Sequence, residues 1–218
     1  MAATRTEDRE RNATPLLLFP CNGNAIEALD CVASAYRPIG FIDDSPDKLG
    51  RKVEGLPVLP RHALQEFATA EVLAVPGGPQ SYAARREIVA SLGLEKDRFA
   101  RVVHPRASVS AQARLGRNVL VMAGVVLTSN ACVGDHVCIL PNSVVHHDAV
   151  IGDWTLVGAN VTIAGGCVVG ENCYVGSGSS LMNGVHVGDG ALIGLGSTVV
   201  RDVAPGAVVA GNPARRLR

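Results

Sequence analysis

The stretch "VVHHDAVIGDW", residues 144–154, sets His146, His147 and Asp148 side by side within a run of small and aliphatic residues. An imidazole takes up and returns a proton near neutral pH, and a neighbouring carboxylate orients the ring or fixes its tautomer, so the pair suits general acid–base chemistry. The same three residues also fit a solvated surface corner. A second group lies near the start of the chain. The loop "CNGN", Cys21, Asn22, Gly23 and Asn24, precedes a helix-like stretch, where free NH groups and the helix dipole favour a phosphate. It lacks the G-x-G-x-x-G fingerprint of a redox dinucleotide site. Asp43 and Asp44 end a strand-like segment, where they either accept hydrogen bonds from a ribose or base or cap the turn "DDSP". "PGG", with Gly77 at its centre, ends the third strand and would close the same crevice.

The elements that must hold these groups fall into two kinds. After a polar tail, residues 1–14, the segment 15–100 alternates strand and helix patterns: "PLLLF", then helical "NAIEALDCVASAY", then "PIGFIDD". "LPVLP", helical "RHALQEFA", "EVLAVPGG" and helical "YAARREIVASLGL" continue it. This predicts a small parallel sheet flanked by helices, an α/β domain of Rossmann-like type.

From residue 101 to 218 the pattern changes. Every sixth residue from Val103 through Val109, Leu115 and Val121 to Ile193 and Val199 is aliphatic, and Gly116, Gly134, Gly152, Gly170 and Gly188 recur at eighteen residues. Three six-residue units then make one turn of a coil, a triangle of short strands with anchors pointing inward. No single coil buries its aliphatic side, but stacked coils do. Val145 is such an anchor and Ala149 the small corner residue of the next unit, so the residues between them face outward.

Composition removes several classes. Twenty Lys and Arg balance twenty Asp and Glu, so nothing attracts nucleic acid. "LLLF" is too short to span a bilayer, and the polar start is no secretory signal. The six cysteines form no C-x-x-C pair and read as small buried hydrophobes in a soluble cytoplasmic protein with reduced thiols.

The repeat, together with "GFIDDSPDKLGRKVEGLPVLP", "ARVVHPRASVSAQARLG", "VVHHDAVIGDW" and terminal "GNPARR", resembles the hexapeptide-repeat acyltransferases. Within them it is similar to the bacterial sugar acyltransferases with an amino-terminal nucleotide-sugar domain. The resemblance implies a left-handed parallel β-helix, although parallel crossovers are normally right-handed. It also implies a homotrimer with active sites between subunits. The expected reaction is N-acetylation of the 4-amino group of a nucleotide-linked dideoxy sugar for a surface polysaccharide, using acetyl-CoA. GDP-perosamine is the first candidate and a UDP-linked sugar the second; O-acetylation of the sialic acid type is the rival.

Carried over by position, the resemblance makes His147 the general base, Asp148 its acidic neighbour and the Gly165 amide the oxyanion donor, with His146 a bystander. Coenzyme A would follow Leu156, Gly165 and Leu195, with Arg215 and Arg216 near its phosphates. An Asn common seven residues before the base is Leu140 here, and Asn142 follows two places later as a sugar-contact candidate. Gly165 is expected at a corner of positive φ, so that backbone shape and chemistry coincide. No cysteine adjoins a histidine, which favours direct transfer over a covalent acyl-enzyme. The six histidines do not show the three converging ligands of a zinc hydratase, so no metal is expected.

Overall fold

The structure is a computed structural model and describes residues 13–33 and 35–217. Residues 1–12 of the expected tail lie outside the described residues, and Thr14 already opens β1 (Thr14–Phe19). The first unit then runs α1 (Gly23–Glu27), β2 (Tyr36–Ile42), β3 (Lys52–Val53), β4 (Leu56–Leu59), α2 (Ala63–Glu66), β5 (Glu71–Ala74) and α3 (Arg85–Ala90). The sheet order is β3-β4-β2-β1-β5, parallel throughout except for the β3–β4 hairpin. The helices are shorter than their sequence patterns predict. "NAIEALDCVASAY" supplies all of α1 but its first residue and a 3₁₀ turn over Ala28–Cys31, and its last residue, Tyr36, already belongs to β2.

From Arg101 the chain becomes a three-sided solenoid. The first face stacks strands from Ser108–Val109 to Thr198–Val199, the second from Arg114–Leu115 to His186–Val187, and the third from Arg101–Val103 to Arg215–Arg216. Until the last coil each strand pairs in parallel with the one eighteen residues on, as Val126 with Val144 and Val144 with Thr162; Leu192–Ile193 then pairs with Val208–Val209, sixteen residues on. The anchors from Val121 to Val199 are buried in one continuous core. Val103, Val109 and Leu115 are only half-buried, because no coil stacks above the first one.

Corners of the coils use a left-handed residue every sixth position, and most of the side chains there are not accidental. Asn118, Asn130, Asn142, Asp148, Asn160 and Asn172 all have φ between 51° and 62°. Asn and Asp enter this region most readily among residues with a β-carbon.

The α/β unit sits on the third face. Leu16, Leu18, Phe41 and Leu73 pack with Leu120, Met122, Cys138 and Leu156, so one side of the sheet is covered largely by the solenoid and the other by α2 and α3. A buried polar network locks this contact. Asn118 mimics a strand partner: its Oδ1 accepts the Ala74 N–H at 2.7 Å and its Nδ2 donates to the Ala74 carbonyl at 2.8 Å. The same amide lies 2.9 Å from His136 Nδ1, which must then accept, leaving the proton on Nε2. The ring of His136 stacks on Trp154 at 3.7 Å and meets the edge of Phe99. Arg85, fully buried, donates to the carbonyls of Pro76 and His136 and so ties the "PGG" loop to the solenoid.

Burial pushes the His136 pKa down to about 4, against the pull of Asp135. Between that value and the unfolded value of about 6.5, the unfolded chain binds a proton that the folded one refuses. Stability should therefore fall as pH drops from about 6.5 and level off near 4. Denaturant midpoints measured across this range should show the decline. His136→Asn, which keeps a residue tolerant of positive φ, should flatten it.

Candidate active site

His147 and Asp148 occupy the corner between the first and second faces, after the strand Val144–Val145 and before Val150–Ile151. Both side chains are about 60% exposed, as the repeat phase predicts: 62% for His147 and 59% for Asp148. His147 Nδ1 lies 2.9 Å from Asp148 Oδ2. An ionised carboxylate only accepts, so Nδ1 carries the hydrogen and the Nε2 lone pair is left free. Hydrogen bonds from His147 and Asn130 hold the Asp148 carboxyl below its ordinary pKa.

Gly165 lies one coil further on, beneath the imidazole. A β-carbon built there would lie 2.6 Å from both Cε1 and Nε2 of His147. The left-handed residue of this turn is Gly166, with φ 67°, and not Gly165. This corrects the expected reason for the glycine: Gly165 is small because the ring rests against it. Among the described residues the Gly165 N–H has no acceptor, while its carbonyl takes the Gly184 N–H. A backbone donor without an acceptor and an imidazole nitrogen with a free lone pair thus lie at one corner. His146 is partly buried beside them, and its N–H pairs with the Ile163 carbonyl.

The other group forms at the carboxyl ends of the α/β strands, where open sheets hold ligands. Asn22 caps α1 by accepting the Ala25 N–H and donates to the Val75 carbonyl, and Asn24 reaches the Gly77 carbonyl at 3.4 Å. These contacts join the "CNGN" and "PGG" loops. Gly23 opens onto free space, and Gly77 takes φ 106° where a β-carbon would lie 2.8 Å from the Arg85 side chain. The helix that follows is only Gly23–Glu27, too short for an appreciable dipole, so any anion there relies on other groups.

Lys48 is such a group, and the sequence reading missed it. Its ammonium bonds the Cys21 carbonyl at 2.8 Å and Asp43 Oδ2 at 2.9 Å. Asp43 is buried and also accepts the N–H groups of Cys21 and Ser45. Burial alone would raise its carboxyl, but the bonds from Ser45 and Lys48 outweigh this and leave its pKa low. Asp44 turns the other way and is held by Arg61, at 2.8 Å, so the two acids do not act together.

The other expected residues lie apart from this corner. Leu156 is buried between the third face and the α/β unit, packed near Gly77, and cannot line an open groove. Leu195 is exposed, but at the corner between the third and first faces, as is Asn142. Within one chain neither joins Gly165 and His147, because a strand of the first face separates the two corners. Arg215 lies in the final strand, antiparallel to Val208–Ala210, and is exposed beside Arg216, Arg201 and Asp202 around a cavity of about 260 Å³.

Of the cysteines, Cys132 is half-exposed and the other five are buried. Burial pushes the thiol of Cys138 up to about 12 and those of Cys31 and Cys173 to about 11, so these three stay protonated. Among the described residues no group of three or more His, Cys, Asp and Glu side chains is placed to hold a metal ion, and no helix is long and apolar enough to cross a membrane.

Residues 130–165 and 166–201 each match the family model described as bacterial transferase hexapeptide (six repeats). Among solved structures, the fold is similar to a histidine-to-asparagine mutant of perosamine N-acetyltransferase from Caulobacter crescentus, in complex with CoA and GDP-perosamine. That likeness has 27% identity and a TM-score of 0.83 over 94% of this chain and 97% of that one. It is also similar to the acetyltransferase domain of PglB from Neisseria gonorrhoeae in complex with acetyl coenzyme A, at 26% identity and a TM-score of 0.83, over 94% of this chain and 100% of that one. The comparison with curated proteins returns no match.

Proposed function

We propose that this chain, a hexapeptide-repeat enzyme of the acetyl-CoA-dependent sugar acetyltransferase kind, acetylates the 4-amino group of a nucleotide-linked dideoxy sugar with His147 as general base. GDP-perosamine is the first candidate acceptor, because the Caulobacter relative carries it together with CoA, and a UDP-linked 4-amino sugar is the second. The observation that carries the reading is the His147 ring, anchored at Nδ1 by Asp148 and resting on Gly165 with its Nε2 edge.

In this reading the amine lone pair attacks the thioester carbonyl, and the carbonyl oxygen gains charge against the Gly165 N–H. His147 Nε2 takes the excess proton from the nitrogen. The tetrahedral adduct then breaks its C–S bond, and the imidazolium returns the proton to the departing thiolate. No acyl-enzyme forms, in keeping with the protonated buried thiols.

The division of labour follows the two units: residues 15–100 as a Rossmann-like nucleotide-sugar domain and 101–218 as a left-handed β-helix carrying the transfer site. Lys48 has one N–H left after its two bonds and suits a phosphate oxygen near the "CNGN" loop. The α/β unit covers the third face, whereas His147 sits at the opposite corner of the triangle. One chain therefore keeps base and crevice apart, and a homotrimer brings one subunit's base to another's crevice. The β-branched outward rows Val126, Val144, Thr162 and Val150, Val168 on the two bare faces supply surface for such packing. The setting is the cytoplasm, and the product serves a surface polysaccharide such as an O-antigen.

The test is the chemistry of the product. N-acetylation predicts an amide that survives mild alkali; an alkali-labile ester would move the enzyme to O-acetylation.

A further inference from the structure

The carboxylate of Asp148 is exposed, yet it is held at both oxygens. Oδ2 faces His147 Nδ1, and Oδ1 accepts a hydrogen bond of 3.0 Å from Asn130 Nδ2. Asn130 lies eighteen residues earlier, at the same corner one coil away, and both residues have φ 59°. The stacking of left-handed corners thus aims one side chain at the next. Exposed hydrogen bonds of this kind add little to fold stability, so what the contact fixes is orientation.

We propose that Asn130 is a positioning residue for acetyl transfer: its amide clamps Asp148 in the rotamer that keeps the His147 ring turned onto Gly165. The proposal rests on His147 being the base. Without the clamp the exposed carboxylate samples the staggered wells of χ1 and a broad χ2, and only one arrangement meets Nδ1. The competent fraction, and kcat with it, should drop by about three- to tenfold.

Two variants separate this from a role in the corner itself. Asn130→Gly keeps the left-handed backbone and removes the amide, and Asn130→Asp keeps the shape but turns the donor into an acceptor. The full chain is assayed with acetyl-CoA and its amino-sugar acceptor, alone and in an Asp148→Gly background. The expected result is a loss of about three- to tenfold in kcat for either variant, with KM for acetyl-CoA unchanged and no further loss once Asp148 is gone. Wild-type kcat in Asn130→Gly, or an equal loss with and without Asp148, overturns the role. His147→Ala is run alongside. If it is inactive while Asn130→Gly is unaffected, the clamp alone is wrong; if it too retains full activity, the base assignment and the clamp fall together.

Discussion

Replacing His147 with alanine is expected to lower kcat for acetyl transfer by about 10²- to 10⁴-fold, the usual contribution of a positioned base. On the proposed mechanism Nε2 takes the proton from the attacking amine and not in substrate binding, so the loss should fall on kcat and on kcat/KM alike. Folding should be untouched. The side chain is mostly exposed, bonds only to Asp148 and lies beside Gly165, so the melting temperature should match that of the unmodified chain. Steady-state thiol release together with a thermal melt measures both. Activity within about threefold of the parent would remove His147 from the proton path.

The second large effect is expected at Gly165. Alanine there meets no backbone penalty, because the left-handed position of this turn is Gly166. Its methyl would instead lie 2.6 Å from two ring atoms of His147, too close for any real contact. The exposed ring can swing away at small energetic cost, so the fold survives while Nε2 moves by about 1 Å, a displacement that costs roughly 10²-fold in rate. In a His147→Ala background the same change should add nothing. Gly166→Ala provides the converse. No atom lies within 4 Å of its added carbon, but φ 67° strains a β-carbon by about 1–2 kcal/mol, so stability falls while activity holds. If Gly165→Ala keeps full activity, the imidazole does not work from the position seen here.

Local period made the solenoid legible. Each anchor from Val121 to Val199 is buried because a coil of eighteen residues places the next aliphatic side chain directly against it, and that requirement is written at a fixed spacing. The outward setting of His147 and Asp148 followed from the same phase. What docks against the solenoid carries no such spacing. Asn118, His136 and Arg85 matter because one particular face meets one particular sheet, so their bonds to Ala74 and Pro76 had no local signature. Leu156 is covered in the same way: its own hexapeptide gives no sign that the α/β unit lies above it. Asn130 was within reach. It is in phase with Asn118, Asn142, Asn160 and Asn172, which lie twelve or eighteen residues apart, multiples of the six-residue unit that mark left-handed corners, and its amide reaches the corner residue eighteen places on. The shortness of α1 is not readable, since the residues after Glu27 keep an apolar spacing that suits a helix yet wind as a 3₁₀ turn over Ala28–Cys31.

The most direct test of the central claim is the rate of thiol release from acetyl-CoA on mixing with the full chain and a nucleotide-linked 4-amino-4,6-dideoxy sugar. The account predicts release that depends on the acceptor, matches the amide formed mole for mole, and falls by about 10²- to 10⁴-fold in His147→Ala. Release that proceeds without the acceptor, or none with either the GDP- or the UDP-linked amino sugar, would contradict it.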